Sequence, residues 1–247
     1  MHKYLIYKQD KSYKNFILNI REYFSKNSSF IHRARNEIKI ISYQNRKYVV
    51  KSFKIPHLLN KIAYSYFKNS KAQKSYENSI KIIDFTPKPI GYIEFKKFEL
   101  LDESYFISEK FNFDFTIREP LLDKNFEDKK EIFKDFAKFT FKLHQNSILH
   151  LDYSPGNILI KRLGKNFEFK IVDINRMKFK KLTLNERLRN FSKLWAKDED
   201  LSTIVEEYSK LLGKDPKNCI KTALYYSQKH KNFKNLKKKL KGEKVVD

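Results

Sequence analysis

Residues 143–176 read LHQNSILHLDYSPGNILIKRLGKNFEFKIVDINR, and the chemistry legible in the chain is concentrated there. Within this stretch His150, Asp152 and Asn157 fall as H-x-D-x-x-x-x-N, and Asp173 follows sixteen positions after Asn157. Ile148-Leu149 and Ile158-Leu159-Ile160 are short β-like runs on either side of a polar, glycine-containing segment. Phe167, Phe169 and Ile171 then alternate toward Asp173 after a turn at Gly164. A β-hairpin over 158–172 would return Asp173 to the neighbourhood of Asn157. Taken singly, these polar residues are ordinary turn and cap chemistry. Their order and spacing carry the reading.

The stretch resembles the catalytic loop and metal-binding segment of the protein-kinase-like fold. The resemblance implies an α+β, bilobal architecture. Residues 1–110 would be an N-lobe in which a small antiparallel sheet and a helix bind nucleotide, and 111–247 a mainly helical C-lobe with catalytic loop, metal site and helical tail. The two lobes together make one kinase-like domain. ATP and Mg²⁺ are the implied cofactors. Phosphoryl transfer asks for an acid acceptor that orients the attacking hydroxyl and for oxygen ligands that hold Mg²⁺ on the phosphates. The resemblance gives the first role to Asp152, the metal roles to Asn157 and Asp173, and a loop-supporting role to His150.

Upstream, YVVKSFK places Lys51 inside an alternating strand, as in the V-A-I-K motif whose lysine reaches the α- and β-phosphates. That lysine needs an ion-pair partner. Between Lys51 and Asp84 the only carboxylate is Glu77, which becomes the expected partner, although Lys74 and Lys81 at i−3 and i+4 compete for it. Ile107, Ser108, Glu109 and Lys110 follow a strand and take the place of the hinge whose backbone would pair with adenine. No glycine falls between Phe30 and Phe53, so a G-x-G-x-x-G nucleotide loop is absent. Ile174-Asn175 replaces Phe-Gly after Asp173, and no A-P-E motif follows, which argues against a regulated protein kinase.

Through HLDYSPGNILI (150–160), IVDINRMKF (171–179) and KSYENSIKIIDFTPKPIGYIE (74–94), the chain resembles the lipopolysaccharide kinase (Kdo/WaaP) family over roughly Phe30 to Arg187. Aminoglycoside and choline phosphotransferases and RIO-type kinases carry related loops. The family implies an ATP-dependent kinase acting on a sugar hydroxyl, Kdo or heptose of the lipopolysaccharide inner core, at the cytoplasmic face of the inner membrane. The alternatives are a small-molecule phosphotransferase, a RIO-like atypical protein kinase and a pseudokinase that only binds.

The composition is compatible with this. With 247 residues, 40% of them apolar, and only 5 Gly and 6 Pro, the chain can bury a sizeable core. Its 53 Lys and Arg against 29 Asp and Glu leave a net charge of +24, which favours polyanionic partners. A nucleic acid is disfavoured, because no aromatic-basic platform or zinc finger is visible. A lipid-linked sugar acceptor and an anionic membrane surface fit better, with the lysines of 229–244 as the local candidate for membrane contact and Arg33, Arg35 and the lysines of 61–81 as the reserve. One cysteine, Cys219, excludes an intrachain disulfide and suits a reducing cytoplasm. No apolar run of signal-peptide or membrane-span length is present, so any membrane contact is expected to be peripheral.

Periodicity supplies the rest. Strands are expected at 30–41 and 47–53 around the turn Tyr43-Gln44-Asn45-Arg46, and helix over 58–83, broken near Asn69-Ser70, with Ile62, Tyr66, Tyr76, Ile80 and Ile83 recurring. Strands are expected again at 90–95 and 105–109 around a charged loop. A helix capped by Asn125, with Glu127 and Asp128 in its first turn, should run to about His144 on a stripe of Ile132, Phe136, Phe139 and Leu143. Later helices start at the capping box Thr183/Glu186 and at Asp215-Pro216.

Overall fold

A computed structural model describes residues 1–28, 30–33 and 36–242; Arg35 and Lys244, named above, lie outside the described residues. The chain divides into two compact units: Met1–Asn112 with Asp173–Asn175, and Phe113–Val172 with the chain from Arg176 on.

The first unit contains β1 (His2–Ile6), α1 (Lys14–Leu18), α2 (Ile20–Lys26), β2 (Phe30–Arg33), β3 (Glu37–Tyr43), β4 (Arg46–Phe53), α3 (Leu58–Ile62), α4 (Lys71–Lys81), β5 (Pro89–Lys97) and β6 (Leu100–Glu109). Its strands form an antiparallel sheet in the order β1-β5-β6-β4-β3-β2. Gln44 and Asn45, both with positive φ, make the tight β3–β4 turn, a conformation that Asn tolerates. The charged loop expected after Phe95 shrinks to the two residues Phe98 and Glu99, because β5 and β6 extend toward each other.

The N-terminal segment had no expected element, yet it completes the sheet and covers one face. Phe16, Ile17, Ile20 and Phe24 of α1 and α2 pack on Ile41, Tyr48, Val50, Ile93, Tyr105 and Ile107. A core side chain of this size contributes about 1.5–3 kcal/mol by burial. Gly91 permits the close packing, since a Cβ there would meet Leu5 O at 2.5 Å and Ile17 Cδ1 at 2.6 Å. A second cluster of Phe53, Ala72, Tyr76 and Tyr92 seats α4. Helix does occupy 58–81 in two pieces, with a π-helical turn over Ala63–Phe67 and a break at 68–70. Of its expected stripe, however, Tyr76 is buried while Ile62, Tyr66 and Ile80 are exposed. The helical period was correct and the buried face was not.

The second unit contains β7 (Phe115–Thr116), α5 (Arg118–Leu122), α6 (Lys129–Gln145), β8 (Ile148–His150), β9 (Ile158–Leu163), β10 (Asn166–Ile171), β11 (Met177–Phe179), α7 (Leu184–Asn190), α8 (Asp198–Leu212) and α9 (Pro216–Lys239). The strands pair as β10-β9-β7 and β11-β8. β9 and β10 are the expected hairpin, in register from Ile158↔Ile171 to Leu163↔Asn166, with Gly164 at φ +61 in the turn. The α6 stripe is buried at Ile132, Phe136 and Leu143, and Phe139 stacks on Phe169 at 5.3 Å. Asn125 does not cap this helix. Asp128, at φ 57, precedes its first residue, and Glu127 and Asp128 bind Arg162 instead. The capping box at Thr183/Glu186 and the Asp215 cap form as expected.

Candidate active site

In the second unit, the polar segment between β8 and β9 is fixed by its own hydrogen bonds. The Asp152 backbone N–H donates to His150 Nδ1 (3.0 Å), and Asn157 Nδ2 donates to the Asp152 carbonyl (2.9 Å). His150 Nδ1 therefore accepts, and its protonated Nε2 donates to the Val172 carbonyl (2.9 Å). Val172 N–H in turn donates to the Asn157 carbonyl (2.9 Å). The backbone on both sides of Asp152 is held, while no described residue hydrogen-bonds its carboxylate. Asn157 spends its amide N–H on the loop, which leaves Oδ1 as a hard oxygen donor. An amide oxygen of this kind is among the hard donors that Mg²⁺ accepts.

A buried chain of hydrogen bonds supports the loop from behind. Asn190 Nδ2 donates to the His150 carbonyl (2.9 Å), so its Oδ1 accepts from His144 Nε2 (3.1 Å), and His144 Nδ1 accepts from Tyr208 OH (2.7 Å). Tyr153 OH meets Thr140 Oγ1 at 2.8 Å. This tautomer makes His144 neutral, and burial lowers its pKa to about 4, with Arg187 adding to the effect and the Asn190 bond opposing it. An unfolded histidine takes a proton near pH 6.5, whereas folded His144 refuses it until about pH 4. Between those values only the unfolded chain is protonated there, so acidification favours unfolding. The expected loss from this group between pH 7 and pH 4 is on the order of 3 kcal/mol. Urea midpoints across this range, with the His144 ring resonances followed in parallel, check it: the ring should stay neutral at pH 5.5.

In the first unit, Lys51 stands on β4 and its Nζ lies 2.7 Å from Asp173 Oδ1, with the side chains 11% and 32% exposed. Asp173 adopts φ 56, a left-handed conformation that Asp tolerates better than most residues, and Asn175 Nδ2 donates to the same Oδ1 (2.7 Å). Asp173 Oδ2 is thereby left as a hard oxygen donor. Asn78 Nδ2 donates to the Ile174 carbonyl (2.7 Å), so α4 holds the 173–175 turn.

This corrects the expected partnership of Lys51 with Glu77. Glu77 lies about 100° around α4 from Asn78, and its carboxylate is taken by Asn69 Nδ2 (3.0 and 3.1 Å) and Gln73 Nε2 (2.7 Å). Backbone donors of the expected hinge are engaged as well. Ile107 is fully buried in a central strand, Glu109 N–H donates to Lys88 O (2.9 Å), and Lys110 N–H donates to Lys47 O (3.0 Å). These donors are already spent within the sheet.

Two residues near the loop had no signal in the sequence. The Arg118 guanidinium sits against Gly156, where a Cβ would meet it at 2.9 Å. The Lys193 ammonium interacts electrostatically with Asp152. Both are single cations in a lysine-rich chain, and only the fold distinguishes them.

The six-stranded sheet with α4 in one unit, and the helical unit carrying the H-x-D-x-x-x-x-N loop in the other, define a protein-kinase-like fold. No family model and no curated protein matches the sequence. Among solved structures the chain is similar to one described as WaaP in complex with acyl carrier protein, at a TM-score of 0.60 and 10% identity over 93% of this chain and 98% of that one. It is also matched to the Rio2 kinase–ADP/Mg²⁺-phosphoaspartate complex from Chaetomium thermophilum, at a TM-score of 0.48 and 14% identity over 86% of this chain and 67% of that one. At such identities the likeness to WaaP is a likeness of fold.

Proposed function

We propose that the protein is a kinase that transfers the γ-phosphate of Mg-ATP to a sugar hydroxyl, with Kdo or heptose of the lipopolysaccharide inner core as acceptor. The observation that carries this reading is the Asp152 carboxylate, left without a hydrogen bond on a backbone fixed from both sides. Asp152 accepts the proton of the attacking hydroxyl and aligns its oxygen. Asn157 and Asp173 supply oxygen ligands for Mg²⁺, which when bound neutralises phosphate charge. Lys51, held in position by Asp173, offers its ammonium to the phosphates. The absence of Phe-Gly after Asp173 favours this reading over a regulated protein kinase. Incubation with Mg-ATP and Kdo-lipid A, an aminoglycoside panel or a generic protein tests the acceptor. Phosphate should enter Kdo-lipid A; incorporation into an aminoglycoside or the protein alone would replace this reading.

The acceptor's lipid anchor places the enzyme peripherally on an anionic, cytoplasm-facing membrane. Among the described residues no helix is long and apolar enough to cross a bilayer. α9 ends in Lys237, Lys238 and Lys239 beside exposed Leu236 and Leu240. It is continuous, and Lys231 Nζ donates to the Ala196 carbonyl (2.8 Å), so cutting the chain after His230 would remove a packing contact along with the lysines. Substitution isolates the charge. Changing all three lysines to Gln should reduce sedimentation with phosphatidylglycerol vesicles, and raised salt should weaken wild-type binding, because screening acts over about 8–10 Å. Undiminished, salt-resistant binding would contradict the electrostatic account.

A further inference from the structure

The face of the second unit next to Asp152 carries a concentration of positive charge that the proposed binding of Mg-ATP does not use. α7 runs into a 3₁₀ turn over Phe191–Leu194, and Asn190 at this junction is the residue that donates to the His150 carbonyl. Arg189 and Lys193 are four residues apart across the junction, and α9 packs against it. α9 presents Tyr226, His230 and Lys234 at successive i+4 positions. The Arg189 guanidinium lies over the Tyr226 ring at 6.0 Å, and the His230 ring meets Trp195 edge-on at 6.0 Å.

Arg189, Lys193 and Lys234 thus converge around one imidazole. Burial and the three cations lower the His230 pKa to about 4, and burial with Lys234 and Arg189 lowers that of Lys193. The one carboxylate acting on Lys193 is Asp152. Among the described residues, none of the three cations has an ion-pair partner. Mutual repulsion of unpaired cations opposes folding. Such a cluster is stabilised by an oxyanion, for which a guanidinium and ammonium groups are the usual partners.

We propose that Arg189, Lys193 and Lys234 form an anion subsite that binds a phosphate or carboxylate group of the acceptor, next to the hydroxyl aligned by Asp152. The assignment to the acceptor rests on the kinase reading above; the anion site itself does not. A subsite of this sign also selects against polycationic acceptors such as aminoglycosides, which the cluster repels.

Inorganic phosphate is the probe, titrated against chloride at constant ionic strength while the His230 ring resonances, assigned with His230→Gln, are followed by NMR. Phosphate should cause a saturable shift, and the triple variant Arg189→Gln/Lys193→Gln/Lys234→Gln should abolish it. Thermal unfolding checks that this variant stays folded. Its midpoint should not fall, because Arg189 and Lys234 are exposed and repulsion is removed. With Kdo-lipid A, the triple variant should raise the acceptor KM at least about tenfold and leave the KM for Mg-ATP unchanged. Equal responses to phosphate and chloride, or a phosphate response that survives in the triple variant, would overturn the subsite. A response to phosphatidylglycerol vesicles but not to phosphate would also overturn it, assigning the cluster to the membrane surface. Saturable phosphate binding in a protein that phosphorylates no acceptor would overturn the kinase reading and leave the anion site standing.

Discussion

Asp152→Asn should lower turnover by about 10²- to 10⁴-fold, the usual contribution of a positioned general base, while Mg-ATP affinity stays at the wild-type value. The substitution keeps volume and shape and removes the ability to take a proton. The loop should survive it, because the contacts that fix residue 152 run through its backbone: N–H to His150 Nδ1 and carbonyl to Asn157 Nδ2. A titration with Mg-ATP separates the two effects. Unchanged turnover would remove Asp152 from the chemistry. Lost nucleotide binding would show instead that residue 152 supports the fold of the site.

Asp173→Asn should act differently, abolishing Mg²⁺-dependent ATP binding and with it activity. Asp173 is the carboxylate against Lys51, so the substitution removes the negative charge of the proposed metal ligand and also leaves a largely buried ammonium without its counter-charge. The Asn78 bond to the Ile174 carbonyl is untouched, and the turn should stay in place. ATP titrated with Mg²⁺ and then with EDTA checks this. Wild type should bind at least about tenfold more tightly with metal, a difference that the variant lacks. A variant that keeps the metal dependence would exclude Asp173 as a ligand.

The legible parts of the molecule were those whose chemistry is local. The H-x-D-x-x-x-x-N spacing, the β9–β10 hairpin turning at Gly164 and the capping box at Thr183 are each set by residues within a few positions of one another, and all three formed. Non-local choices were not legible. Glu77 was the only carboxylate between Lys51 and Asp84 along the chain, but the partner in space is Asp173, 122 residues away, and α4 turns Asn78 toward that segment. Phe16, Ile17, Ile20 and Phe24 follow a helical period, yet helices of 5 and 7 residues among lysines and asparagines give too short a window to stand out. Arg189, Lys193 and Lys234 are indistinguishable in sequence from the other members of a set of 53 basic residues. Only the packing of α9 on the 191–194 turn gathers them.

The central claim is phosphoryl transfer from ATP to a hydroxyl under the control of Asp152. The most direct measurement is a single-turnover experiment with γ-labelled ATP, Mg²⁺ and Kdo-lipid A, resolving label on the acceptor from label released as inorganic phosphate. Wild type should place label on the acceptor at a rate that falls by orders of magnitude in Asp152→Asn. Label that stays on ATP or appears only as inorganic phosphate, or an acceptor signal equal in the two proteins, would contradict the account.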